Sequence, residues 1–232
     1  MIAQNKVITP RLVIQLLFFV VVIPFLPLLI TWRWGWWEAW AFGLTYSLGF
    51  VISRVLAGRR NPGLLAERAK MMQHADAKPW DRTLAPLVAL GGGLIPLVAG
   101  LDARFDWSGG FNLPLKIFAL IVLIGGFALG AYALYENRYF SGVVRIQTER
   151  HHKVVSTGPY GWVRHPGYAG ALFSYLAAPL LLDSAWAFVP AGLILIALVV
   201  RTSLEDQTLQ KELKGYRNYA KRVRYRLLPW IW

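Results

Sequence analysis

Between Gln147 and Tyr168 the chain reads QTERHHKVVSTGPYGWVRHPGY, the passage outside its apolar runs that is densest in groups able to do chemistry. It holds three of the four histidines, two tyrosines, a tryptophan and Arg164. Gly158-Pro159 forces a turn, while Pro166 pushes His165 out of helical geometry and then suits the first turn of a helix. A helix starting near Pro166 or Gly167 presents its positive end beside Arg164 and His165, and such an end favours a carboxylate or another anion. Tyr160, Trp162 and Tyr168 offer flat faces suited to an adenine ring or a sulfonium cation. A second polar cluster, RTSLEDQTL from Arg201 to Leu209, follows the last apolar run. Its Arg201 and Glu205 are four apart and share one helical face. The two pieces are expected to fold into one site. The same residues would also serve as an interfacial anchor, with Arg201–Glu205 as a plain i,i+4 ion pair.

The elements that must position these groups are apolar. Of the 232 residues 56% are hydrophobic and only 16% charged, against roughly 45–50% and 25% in an ordinary soluble domain. The apolar residues cluster in runs close to the roughly 17–25 residues that cross a bilayer, without the charged stripe of a soluble helix. The fold class expected is all-α, a polytopic membrane helix bundle of about six spans with an amphipathic C-terminal helix. The first run is read as a retained span rather than a signal peptide. Span one covers roughly 12–32, after a polar arm with Lys6 and Arg11, and Pro24 and Pro27 predict a kink. Trp32, Trp34, Trp36 and Trp37 form an interfacial belt at its end. Span two covers roughly 39–57, followed by a basic connection in which a short interfacial helix can form after Pro62-Gly63.

Span three, roughly 84–101, carries Gly91, Gly92 and Gly93, which read as packing glycines rather than a nucleotide loop. Span four runs roughly over 113–135. The apolar stretch 167–200 is too long for one crossing and is interrupted at Asp183-Ser184, which predicts a hairpin of two short helices. The tail repeats Leu204, Leu209, Leu213, Tyr216, Tyr219 and Val223 near helical spacing. Domain organisation is expected as a bundle of about four spans over 1–135 and a site-bearing region over 136–232. The formal charge is +13, but Lys and Arg fall on alternating connections, the positive-inside pattern of a membrane protein rather than a nucleic-acid surface. Both termini and the site are therefore expected on the cytoplasmic side. With no cysteine there is no thiolate site, and the histidines lack metal-ligand spacing, so no metal and no nucleic-acid partner is expected.

The tract GPYGWVRHPGYAG, followed after a hairpin by R-x-x-x-E-D-x-x-L and then YRNYAKRVRYRLLPWI, resembles the isoprenylcysteine carboxyl methyltransferase family and its phospholipid-methyltransferase-like relatives. The likeness covers roughly 136–232. It implies a membrane enzyme that uses S-adenosyl-L-methionine. Carried over by position, it implies cofactor contacts at Gln147, at His152, Lys153, Val154 and Val155, and at Tyr160, His165, Pro166, Gly167 and Tyr168. Glu205 falls on the acidic cofactor contact and Arg201 on the arginine assigned to the substrate, so these two are the catalytic candidates. Arg164 matches the motif without a firm role. Two departures stand out: Asp206 where glutamate is usual, and a glycine displaced to Gly215.

The resemblance implies direct methyl transfer to a nucleophile held in line, with a lipophilic or lipidated substrate entering from the bilayer. An ionised carboxylate needs no strong base, so proximity and orientation would dominate. Alternatives are phospholipid amine N-methylation, a membrane reductase using NADPH, and a non-enzymatic scaffold.

Overall fold

The computed structural model describes residue 14 and residues 17–232, so the expected arm with Lys6 and Arg11 and most of the start of span one lie outside the described residues. The described residues are helical, with no strand among them. A π-helical turn over Phe18–Val22 and a 3-10 turn over Ile23–Phe25 lead into α1, Leu26–Thr31. The departure from α geometry falls at the expected prolines, because Pro24 and Pro27 cannot donate to the helical ladder. Then come α2 (Trp37–Arg60), α3 (Pro62–Ala69), α4 (Asp81–Gly91), α5 (Leu94–Phe105), α6 (Leu113–Glu136), α7 (Pro166–Leu181), α8 (Phe188–Glu212) and α9 (Tyr216–Arg222).

Four helical stretches are long and apolar enough to cross a membrane: α2, α4 with α5, α6, and α8. The chain is a multi-pass membrane protein. The helix around Pro24 and α7 are shorter, so six apolar elements follow the expected order while four have full spanning length. Ile121, Leu193 and Ile196 are 63%, 65% and 65% exposed, as lipid-facing residues of a bundle without a polar face should be. The inner face is a cluster built on Leu28, Ile95, Leu123, Leu181, Leu182 and Ile194. Gly92 and Gly93 separate α4 from α5; a Cβ on Gly91 or Gly92 would stand 3.0 Å from Ile194 or 3.3 Å from Tyr175. The glycine triplet thus serves close packing, as expected.

The helices leave two distinct ends. At one, Lys116 bridges Glu38 and Asp183 at 2.9 and 2.7 Å, and Asp102 accepts from Ser108 and Ser184. Exposed Trp32, Trp34, Trp107 and Trp186 lie on the loops of that end. At the other, the Lys/Arg-rich connections meet: Arg60 reaches Glu136 at 3.4 Å and Lys78 reaches Glu212 at 2.7 Å. The alternation of charge along the chain therefore appears in space as one basic end. The hairpin turn also falls where expected, with Asp183 in the left-handed region at φ 60°.

The tail departs from the expected single amphipathic helix at the membrane surface. Leu213 to Gly215 break it, with Gly215 at φ 88°. The seven-residue α9 that follows turns Tyr216 and Tyr219 inward, onto Ile146, Val154 and Leu209. A glycine adopts that backbone at no steric cost, so the displaced Gly215 folds the tail over the protein.

Candidate functional site

Residues 137–165 form the roof of the basic end, and irregular backbone there must find hydrogen-bond partners elsewhere. Asp81, at the first turn of α4, accepts from the Val144 amide at 2.6 Å, and the Lys78 amide donates to the Val144 carbonyl at 3.0 Å. Gln147 is buried and donates to the Tyr139 carbonyl at 2.7 Å, while Arg150 donates to its Oε1 at 2.5 Å. Arg145 joins Glu67, Asp76 and Glu149 at 2.8, 2.8 and 2.5 Å. The connection between α2 and α4 therefore holds the loop in place.

Beneath this roof, α7 starts at Pro166 with His165 as its N-cap. The helix is seated by a close approach to α6: a Cβ on Gly170 would stand 2.5 Å from the Gly126 carbonyl oxygen. Its first turn carries Tyr168, whose hydroxyl donates to Glu205 of α8 at 2.5 Å. The His165 and Tyr168 rings stack with centroids 5.8 Å apart. The next residue, Asp206, is wholly buried and gathers basic side chains from the roof loop and the tail. Arg164 donates to both its oxygens at 2.7 and 2.9 Å, Arg226 at 2.9 Å, and His165 lies at 3.4 Å. The Tyr216 hydroxyl and the Gln210 amide add bonds of 3.1 and 2.8 Å. The Arg164 and His165 amides donate to the carbonyls of Tyr225 and Arg226, both at 2.9 Å. Loop, helix and tail are thereby strapped together.

Between them lies a cavity of about 790 Å³, counting the part that opens to solvent. Val154, Val155, Leu209 and Leu213 supply apolar wall, and Tyr160, Tyr168, Tyr216 and Tyr219 supply aromatic faces. Glu205 is its acid, while Lys153, Arg145, Arg164 and Arg201 bring positive charge. His152, 4.5 Å from the Tyr139 ring centroid, is pulled down to about 4 by burial, with Arg150 and Arg145 adding to the effect, so it is neutral at physiological pH. Burial pushes the Tyr160 hydroxyl well above the usual phenol range, which keeps it a neutral donor.

Of the residues singled out in the sequence, Gln147, His152, Lys153, Val154, Val155, Tyr160, His165, Gly167, Tyr168, Arg201 and Glu205 all line this cavity. Pro166 is buried at the helix start and does not line it. Arg201 and Glu205 share a face but are not paired with each other among the described residues. Arg201 is held by Asp81, Nε to Oδ1 at 2.7 Å and Nη2 to Oδ2 at 3.1 Å, and Nη2 also donates to the Gly142 carbonyl at 3.0 Å. Its guanidinium lies 5.3 Å from the Tyr168 ring centroid.

Sequence reasoning missed Asp81 and the hub role of Asp206. An isolated acid at the start of an apolar run was the available signal for Asp81, since such a charge needs a partner. For Asp206 the signal was the surplus of arginines around it, including the unassigned Arg164. Among the described residues no cluster of His, Asp and Glu could hold a metal.

Residues 119–211 match the model of the isoprenylcysteine carboxyl methyltransferase family. A Delta(14)-sterol reductase of Mus musculus is 32% identical over 60% of this chain and 36% of its own length. Protein-S-isoprenylcysteine O-methyltransferase B of Arabidopsis thaliana is 32% identical over 50% of this chain and 57% of its own. The protein-S-isoprenylcysteine O-methyltransferase of Saccharomyces cerevisiae is 27% identical over 47% and 43%. The chain thus spans between 36% and 57% of the length of these three relatives. The stretch matched by the family model contains the roof loop, α7 and the start of the tail up to Lys211, the same pieces that close the cavity. Over residues 119–211 this chain is similar to the isoprenylcysteine carboxyl methyltransferase family.

Proposed function

We propose that the protein is an S-adenosyl-L-methionine-dependent methyltransferase that acts on a carboxylate carried by a lipophilic molecule, in the manner of an isoprenylcysteine. The observation that supports this most is the convergence of the roof loop, the N-terminus of α7 and Glu205 on one cavity with the family's motif residues on its wall. The donor set fits the cofactor. Glu205, with Tyr168 bound to it, suits an amine or sulfonium cation; the tyrosine faces suit a cation or a heteroaromatic ring; Lys153 and the start of α7 suit a carboxylate. When bound, the cofactor supplies an electrophilic methyl group.

The chain's own residues then do the positioning. Arg201, fixed by Asp81, offers its remaining Nη1 edge to an acceptor carboxylate and keeps the acid ionised. His152 is neutral and Tyr160 a neutral phenol, so neither repels the cofactor's positive charge or competes as an anion. The folded tail, with Tyr216 and Tyr219 over the cavity, excludes water from the reacting carboxylate, which raises its reactivity. Rate enhancement comes from orientation and desolvation rather than from a general base. Site and both chain ends are assigned to the cytoplasmic face by the charge pattern.

The likeness to a Delta(14)-sterol reductase over 60% of the chain favours one second reading, a reductase that binds NADPH in the same cavity. Incubating the purified protein in lipid with methyl-labelled S-adenosylmethionine and a panel of lipophilic acids and amines, followed by mass spectrometry, tests the first. Label appearing as an acid-linked methyl ester is expected; label on an amine, or on none of the panel, would contradict it.

A further inference from the structure

Several basic side chains at the basic end are held by acids. Arg164, Arg226 and His165 meet at Asp206, Arg145 at Glu67, Asp76 and Glu149, Arg201 at Asp81, and Lys78 at Glu212. Of the arginines and lysines there that are not exposed, Arg54, Arg68 and Arg150 have no acid within 4 Å among the described residues. Arg150 is taken up by Gln147 Oε1 and the Arg138 carbonyl. Arg68 uses Nη1 alone, on the Phe140 and Ser141 carbonyls at 3.2 Å each. The next carbonyl, Gly142, is the one that takes Arg201, so the two guanidinium groups stand at adjacent steps of the same backbone. Arg54 uses Nη1 on the Ser53 hydroxyl at 2.9 Å and lies 3.7 Å above the Phe50 ring.

Both side chains are enclosed by surrounding protein, yet both stay partly accessible. Among the described residues no fully buried side-chain nitrogen or oxygen lacks a partner, so their unused N–H groups keep some accessible surface. Burial pulls Arg68 down to about 10, with the Tyr168 hydroxyl opposing and the Arg201 cation adding to the fall. It therefore stays charged. An arginine inside a spanning helix is costly and marks a functional position, and Arg54 sits in α2. Tyr46, Phe50 and Arg54 recur every four residues and share one face of that helix. Its neighbours Val51, Ile52 and Val55 are 48%, 51% and 46% exposed, toward lipid.

We propose that Arg54 and Arg68 form the receiving site for the anionic head of a lipophilic acid, on the bilayer side of Arg201, with Tyr46 and Phe50 flanking its apolar chain. This rests on the methyltransferase reading for the identity of the acid and adds two residues from the half of the chain outside the family match. Each arginine keeps a fork edge for a carboxylate, and Arg201, neutralised by Asp81, would take over as the acid moves inward.

The test uses purified protein in nanodiscs of zwitterionic lipid. It measures binding of N-acetyl-S-farnesylcysteine, of its methyl ester and of S-adenosylhomocysteine to wild type, Arg54→Gln and Arg68→Gln. We expect wild type to prefer acid over ester, each variant to lose about tenfold in affinity for the acid alone, and S-adenosylhomocysteine affinity to hold. Where a Gln variant does not fold, the Lys variant at that position carries the test, with a several-fold loss expected because lysine lacks the planar fork. An acid-to-ester ratio equal to wild type in the folded variants overturns the proposal. So does a ratio equal to wild type accompanied by lost retention of anionic phospholipid, which would assign the pair to headgroups. Failure of wild type to bind S-adenosylhomocysteine would instead strike the methyltransferase reading, leaving an arginine-dependent acid preference to stand by itself.

Discussion

Glu205 and Asp206 are adjacent in sequence and opposite in role. Glu205 faces the cavity with a single tyrosine hydroxyl as partner, whereas Asp206 is spent on Arg164, Arg226, His165, Tyr216 and Gln210. Replacing Glu205 by Gln should weaken S-adenosylhomocysteine about tenfold with little change in melting temperature. Replacing Asp206 by Asn leaves buried cations unpaired and should cost about 3–5 kcal/mol of stability, read as a lowered thermal midpoint. Arg201→Ala and Asp81→Asn should act alike, because Asp81 fixes the guanidinium: both should reduce methyl-acceptor use more than cofactor binding. Divergent effects on acceptor KM would contradict that coupling. The motif made Glu205 and His165 legible in the sequence, since a proline sets where α7 starts and helical spacing sets what shares a face with Arg201. Asp81 was not legible as a partner, because 120 residues separate it from Arg201 and only tertiary packing joins them.

At the scale of elements, the site depends on how α7 is seated and how the roof loop is braced. The Gly126–Gly170 crossing leaves no space for a side chain, so Gly170→Ala should cost about 1–3 kcal/mol through overpacking. It should also displace Tyr168 from Glu205, lowering cofactor affinity together with stability. His152 braces the loop as a neutral ring. Its pKa falls from 6.5 to about 4 on folding, so the unfolded chain binds the extra proton between those values. Stability should therefore be full above about pH 6.5 and decline as pH falls toward 4, and His152→Gln should flatten that part of the melting-temperature profile. Hairpin, kink and helix order were readable from Asp183-Ser184, the prolines and the apolar runs. The fold-back of the tail was not, because the periodicity of Leu209, Leu213 and Tyr216 continues across the break. Only the left-handed backbone at Gly215 reveals that two helices share it.

For the whole molecule, the helices gather most of the Lys and Arg at one end and most of the tryptophans at the other, which puts a polar cavity where a membrane domain meets water. Under the methyltransferase proposal a soluble cofactor would reach such a site from the basic end, and a lipid-tailed acceptor would reach it sideways past α2. The central claim is that the loop ahead of α7 and the start of the tail close around S-adenosylmethionine. Calorimetric titration of S-adenosylhomocysteine, with NADPH in a parallel series, into wild type and Glu205→Gln in lipid nanodiscs tests it most directly. The account predicts saturable, one-to-one binding of S-adenosylhomocysteine to wild type, binding about tenfold weaker in the variant, and no heat from NADPH. Equal affinities in the two proteins, or saturable binding of NADPH instead, would contradict it.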